Sequence, residues 1–256
     1  MNPHIKGFPL DWGKGLGTGG FRHDIEEIPY RTSQRQVGEI ITVEEGVKLP
    51  IGVNINRRKI QQALTQPQLE WVKKLDEILQ TTERFTEDEV LDALHSEGGT
   101  KHIEYFYCHA GTRGDPHKDF DQSFLGLTRA NQGLTLEDIR LTTLGRHFEG
   151  NPLFILNACE SAQMDGQFYD GFVPQFLEMG ACSVVGTDCK VPDIFGAHFG
   201  LLLLQGFFRG QSVGQALLSA RRYFFEQYRN PLGLIYRAFG NMDAHLSRRV
   251  LEESPA

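Results

Sequence analysis

Apolar residues are arranged along this chain in two ways: short continuous runs, and longer stretches with apolar positions three and four apart. The runs are too short for helices and read as strands buried on both faces of a sheet. Lys48 to Asn56 predicts the first core strand, after a short β-type run from Val37 to Val43. Ile103 to Gly111, Leu153 to Ser161 and Cys182 to Thr187 follow, and Leu234 to Phe239 reads as a last strand. Helical spacing covers Pro67–Gln80, Thr86–His95, Thr135 to about Phe148, Phe168–Met179, Asp193–Phe208 and Ser212–Tyr228. Thr86 with Glu89, and Thr135 with Asp138, stand at capping-box spacing. A polar loop is expected from Thr112 to Gln122. Strands alternating with helices predict an α/β domain with a mostly parallel sheet covered on both faces.

Residues 1–35 do not fit this pattern. They hold Gly13, Gly15, Gly17, Gly19 and Gly20 with three prolines and no sustained period, and read as a flexible arm or linker ahead of one domain over 36–256. A chain of 256 residues can bury one large core. The net charge of −7 argues against nucleic acid as the main partner. Late arginines (Arg221, Arg222, Arg229, Arg237, Arg248 and Arg249) read as a solvated helix face, with a docking surface as the alternative. The opening residues lack a signal-peptide pattern. The longest apolar stretch, Phe199 to Phe208, is interrupted by Gly200, Gln205 and Gly206 and is too short to span a bilayer. Four cysteines without CxxC pairing suit a reducing compartment, so a soluble cytoplasmic protein without a membrane partner is expected. Histidines and cysteines show no metal-ligand spacing, and no metal or cofactor is expected.

Two of the strand-like runs each end in a reactive side chain. The first delivers His109 and the second Cys159, 50 residues later. In parallel sheets functional groups gather at the carboxyl ends of strands. A thiolate is a nucleophile, and a neighbouring imidazole lowers its pKa and returns the proton to the leaving amine, a role worth roughly 10²–10⁴ in rate. By residue type alone the pair is equally a buried cysteine beside a satisfied core histidine. Two other motifs lack their structural context. Gly15-Leu16-Gly17-Thr18-Gly19-Gly20 satisfies GxGxxG but follows no strand. Gly210-Gln211-Ser212-Val213-Gly214 satisfies GxSxG, with Asp243 and His245 downstream, and offers a serine hydrolase as a competing class. A nucleophile elbow must join a strand to a helix, whereas a helix-like stretch precedes Ser212, which reads as an N-cap.

Caspases carry a catalytic His about 50 residues before a Cys in a Gln-Ala-Cys-x-Gly setting, where this chain has Asn157-Ala158-Cys159-Glu160-Ser161. A closer resemblance is to the CHAT domains, bacterial relatives of caspases and separases. It rests on Tyr105 to Gly111, Phe154 to Ala162, Gly171 to Leu177, Gly186 to Asp193 and Asn230 to Tyr236, in order across roughly 37–240. The resemblance implies a caspase-like fold and a cysteine endopeptidase whose dyad maps onto Cys159 and His109, with the backbone N–H groups of Ala110 and Cys159 as the oxyanion hole. It also implies a protein substrate, and activation by a sensor module or regulatory partner in bacterial defence or cell death. Ala110 stands where many members have Gly, and Asp188-Cys189 where many have an apolar residue and Trp. Asp188 is thereby a candidate for an S1 pocket taking Arg or Lys, and Asn157 a second S1 candidate. For both, a bland alternative stands: an Asx-turn or helix cap for Asp188, a strand-end amide for Asn157. Arg57 and Arg58 keep an acidic P1 open. The competing class is a non-catalytic interaction domain with the same fold.

Overall fold

The computed structural model describes residues 41, 47–56, 66, 73, 78–113, 122–129, 132–158 and 171–247. The strands are β1 (Leu49–Ile55), β2 (Leu79–Arg84), β3 (Ile103–Arg113), β4 (Gln122–Arg129), β5 (Gln132–Thr135), β6 (Leu153–Ala158), β7 (Ser183–Thr187) and β8 (Tyr236–Gly240). Their main path runs β2-β1-β3-β6-β7-β8, while β4 pairs β3 and β5 pairs β4. The five strands from β2 to β7 on this path are parallel, and β8 closes the edge antiparallel to β7. Every residue of β6 is buried, as a central strand covered on both faces requires. Removing each of its large apolar side chains from water stabilises the fold by about 1.5–3 kcal/mol.

Helices cover both faces: α1 (Glu87–His95), α2 (Leu136–Thr142), α3 (Phe172–Glu178), α4 (Asp193–Phe208) and α5 (Val213–Tyr228). Ile103, Tyr105 and Tyr107 of β3 pack into one core with residues of α4 and α5. Phe106 and Cys108 pack into the opposite core with residues of α1, α2 and α3. The period of two along β3 therefore assigns its odd and even positions to different layers. Reciprocal capping boxes start α1 at Thr86/Glu89 and α2 at Thr135/Asp138, as the sequence predicts. Nine of the sixteen residues of α4 are buried, so its apolar character all round reflects a core helix. Among the described residues no helix is long and apolar enough to cross a membrane.

The structure departs from the sequence expectations in several places, among them Leu234 and Ile235, which end a 3-10 turn (Pro231–Ile235) ahead of β8 and are not part of the last strand. Leu79–Arg84 is a strand, whereas the predicted helix ran through Gln80. Only Leu79 and Arg84 in it are buried, so the polar Gln80 to Glu83 conceal an edge strand. The expected loop after Gly111 begins later, because β3 continues to Arg113 and meets β4 in an antiparallel ladder. A further departure is α2, which stops at Thr142; Gly145 follows with φ 73°, a left-handed conformation that ends helical continuation. Another is the arginine run, which is not one solvated face. Arg221 is buried, donating to the Gly233 and Tyr236 carbonyls, and Arg237 lies on β8. Ile41 bridges Leu246; the remainder of Val37–Val43, the arm, the GxGxxG stretch and Arg248–Arg249 lie outside the described residues.

Candidate active site

β3 and β6 are adjacent and parallel, with Tyr107 opposite Asn157 and Cys108 opposite Ala158. The next residue in each chain is His109 and Cys159. His109 is described and half-buried, while Cys159, Arg57 and Arg58 lie outside the described residues. On its other side β3 pairs β4, and His109 stands opposite Gly126 in that antiparallel ladder. Ala110, opposite Leu125, is half-buried, with its side chain against the core under α1–α3. Asn56 fastens this corner, donating from its backbone to the Tyr107 carbonyl at 2.9 Å and from Nδ2 to the Leu127 carbonyl at 2.7 Å. Of the other cysteines, Cys108 and Cys182 are buried and Cys189 is exposed.

The end of β6 is held at two consecutive residues. Asn157 is 5% exposed. Its Nδ2 donates to Tyr105 Oη at 2.9 Å and to the Gly196 carbonyl at 2.7 Å, and its Oδ1 accepts from Tyr236 Oη–H at 2.6 Å. The Thr187 hydroxyl donates to the Ala158 carbonyl at 2.6 Å, tying β6 to β7 one residue before Cys159. On β3, Tyr107 Oη–H donates to the carbonyl of Asp193, the first residue of α4. Burial pushes the Tyr105 phenol up to about 12, so that hydroxyl stays neutral throughout the physiological range.

Room for this buried polar group comes from α4. A Cβ on Gly200 would stand 2.5 Å from Tyr105 Oη and 2.8 Å from Asn157 Nδ2, and one on Gly196 would stand 3.1 Å from Asn157 Oδ1. Two glycines four residues apart lie on one helix face and let the helix backbone approach the strand. That spacing inside an otherwise apolar helix was the available sequence signal for Tyr105 and Tyr236, which the sequence reading did not single out. Thr187 carried no such signal.

Asp188 follows β7 at its carboxyl end, with its N–H on the Ile235 carbonyl. Its Oδ1 accepts from Arg237 Nη1 at 3.2 Å, and both side chains are about a third exposed, at 38% and 32%. Burial raises the Asp188 carboxyl above its ordinary value. Arg237 also lies over the Phe239 ring, 5.2 Å from its centroid. Ser212 sits far from any strand-to-helix elbow: α4 precedes it, and its hydroxyl caps α5 by accepting from the Gln215 N–H. The GxSxG match is therefore a helix–helix junction.

The parallel sheet with helices on both faces matches a caspase-like fold. Yeast separase, in its Saccharomyces cerevisiae complex with securin, superimposes with a TM-score of 0.54 at 14% identity, over 80% of this chain and 12% of separase. Gingipain R, an Arg-specific cysteine proteinase, superimposes with a TM-score of 0.50 at 10% identity, over 90% of this chain and 52% of the other. Residues 42–240 match the CHAT domain, and the chain belongs to that family. A relative described as a probable protease, from Vitiosangium sp. (strain GDMCC 1.1324), is 29% identical over 171 residues, covering 64% of this chain and 21% of the relative. The chain thus spans about a fifth of that relative's length.

Proposed function

We propose that the protein is a cysteine endopeptidase in which Cys159 attacks the scissile carbonyl and His109 carries the proton. The observation that carries this reading is the β3–β6 register, in which the last pair among the described residues, Cys108 and Ala158, immediately precedes His109 and Cys159. Membership in the CHAT family and the relative described as a probable protease support the same chemistry. In the attack, Cys159 Sγ forms a bond to the carbonyl carbon and the carbonyl oxygen takes the electron pair. His109, holding the proton taken from the thiol, gives it to the amine as the C–N bond breaks and the carbonyl re-forms. Water, losing a proton to His109, then attacks the thioester, and the C–S bond breaks to release the acid and return the thiol. The backbone N–H groups of Ala110 and Cys159 are the donors assigned to the developing oxyanion.

Asp188 is the acidic group we assign to the S1 pocket, favouring Arg or Lys at P1. Arg237 already engages its Oδ1, so an incoming cation meets the carboxylate at Oδ2 or displaces Arg237. Resemblance to the family supports a protein substrate and control by a regulatory partner or sensor module in a bacterial defence setting.

A positional-scanning peptide library separates these assignments. Wild type hydrolyses peptides with a basic P1, Cys159→Ala is inactive, and His109→Ala is slower by roughly 10²–10⁴. Asp188→Ala loses the basic preference while retaining turnover. Hydrolysis by Cys159→Ala at the wild-type rate would overturn the nucleophile. An unchanged P1 profile in Asp188→Ala would remove the acidic pocket.

A further inference from the structure

Asn157 stands two residues before Cys159 and Tyr105 four before His109, on adjacent strands, and one hydrogen bond joins their side chains. A third strand enters through Tyr236, fully buried at the start of β8, whose hydroxyl occupies the remaining face of the Asn157 amide. The carbonyl of Gly196 adds α4. Three elements therefore converge on one side chain of a fourth, and each polar atom of the Asn157 amide has a protein partner. We propose that Asn157, Tyr105 and Tyr236 form a positioning network that fixes the relative placement of the strand ends carrying His109 and Cys159. This inference rests on the peptidase reading and assigns a role to residues that do not touch the reacting atoms.

The arrangement is suited to positioning because it restrains direction as well as distance. An amide offers donors on one side and an acceptor on the other, so rotation of the Asn157 side chain would break bonds to two different elements at once. Tyr105 and Tyr236 are themselves buried in the same apolar core, which holds their hydroxyls in place. Tyr236 stacks on Phe199 of α4 at 3.9 Å between ring centroids, and its carbonyl accepts from the buried Arg221. The Ala158 carbonyl, held by Thr187, restrains the backbone one residue closer to Cys159. Displacing reacting groups by about 1 Å costs on the order of 10² in rate, so loss of one such restraint is readable in catalysis.

The test follows Cys159 alkylation by iodoacetamide across pH, resolved by mass spectrometry, in a Cys189→Ser background that removes the exposed thiol. In the parent protein the apparent thiol pKa is expected well below the value of about 8.5 of a free cysteine. Tyr236→Phe removes one hydroxyl while keeping the ring, and Gly200→Ala pushes a methyl group against Tyr105 and Asn157. Both are expected to raise the apparent value by about one unit, toward that of a free thiol. In peptide hydrolysis both are expected to lower kcat by roughly 10–100-fold with KM little changed. Ser183→Ala serves as the comparison, since its buried hydroxyl bonds the Phe239 carbonyl at the other end of β7. It lowers stability and leaves the Cys159 profile as in the parent. Tyr236→Phe and Gly200→Ala profiles that match Ser183→Ala would overturn the positioning role alone. A parent profile identical to that of His109→Ala would overturn the dyad, and the network's role with it.

Discussion

Glu104 and Tyr105 are neighbours on β3, yet each is the middle of a different buried polar cluster on opposite faces of the sheet. Glu104 accepts from Arg84 at 2.8 Å and from Asn54 at 2.9 Å, and its other oxygen accepts from the Lys101 N–H. Tyr105 belongs to the neutral Asn157–Tyr236 group. Each cluster needs a glycine for space. A Cβ on Gly52 would come within 2.2 Å of Glu104 Oε2, as one on Gly200 would crowd Tyr105. The charged cluster joins β1, β2 and β3 on the side of the sheet away from β6, beside the loop that supplies the Gly99 carbonyl to Arg84. The neutral cluster lies at the β3–β6 seam, next to the residues assigned to chemistry. Two ways of satisfying buried polar groups thus stand in different places: the ion pair locks the edge of the sheet, and the amide network lies where the positioning role is proposed.

The largest effect separating them belongs to the ion pair. Glu104→Ala leaves the guanidinium of Arg84 buried without its carboxylate, and is expected to lower unfolding free energy by about 3–5 kcal/mol. Urea denaturation reads this directly, and at low urea the folded protein should keep the parent Cys159 alkylation profile. A loss below about 1 kcal/mol would mean that water or Asn54 compensates the charge. Tyr236→Phe comes next. It leaves the Asn157 Oδ1 without its donor and is expected to cost about 1–3 kcal/mol, while slowing hydrolysis far more than that stability change explains. An equal slowing by Glu104→Ala at matched folded fraction would erase the contrast between the clusters.

The smallest effect concerns the half-buried pair Asp188–Arg237. Burial raises the Asp188 carboxyl, so its contribution to stability is fully present below the unfolded value and is lost as pH rises through the folded one. Solvent screens a pair this exposed, and the whole effect should stay within about 1 kcal/mol. Comparing urea midpoints of wild type and Asp188→Asn from about pH 3 to pH 7 should show wild type losing ground as the carboxyl ionises. Wild type gaining ground instead would mean that the attraction of Arg237 outweighs desolvation.

Much of the fold was legible because its central strands are continuous apolar runs and its helices carry their own starts. β3 and β6 announced themselves through Tyr105–Cys108 and Phe154–Ala158, the caps at Thr86 and Thr135 appear where their spacing placed them, and Ser212 caps α5 as its place after a helix-like stretch implied. β2 was hidden because an edge strand needs few buried residues, and Gln80 to Glu83 satisfy solvent instead. The β4–β5 hairpin was hidden because its ladder shifts register between Leu125 and Arg129, which breaks the alternation that would have revealed it. At the candidate site the sequence offered His109 as the end of an apolar run. It did not offer the Asn157 partners: Tyr105 lies 52 residues away on the neighbouring β3, and Tyr236, 79 residues away, reaches Asn157 only when β8 folds back beside β7. Asp188 was legible as a residue type, but not its pairing with Arg237, which read as part of a helix face.

Every role proposed for the site depends on Cys159 being the nucleophile of a peptidase. A peptide carrying an acyloxymethyl ketone behind a basic P1 residue, incubated with wild type and with Cys159→Ala and mapped by mass spectrometry, tests it most directly. A single adduct on Cys159 is expected in wild type, with slower labelling in His109→Ala and no adduct in Cys159→Ala. Equal labelling of wild type and Cys159→Ala, or wild-type protein without an adduct on Cys159, would contradict it.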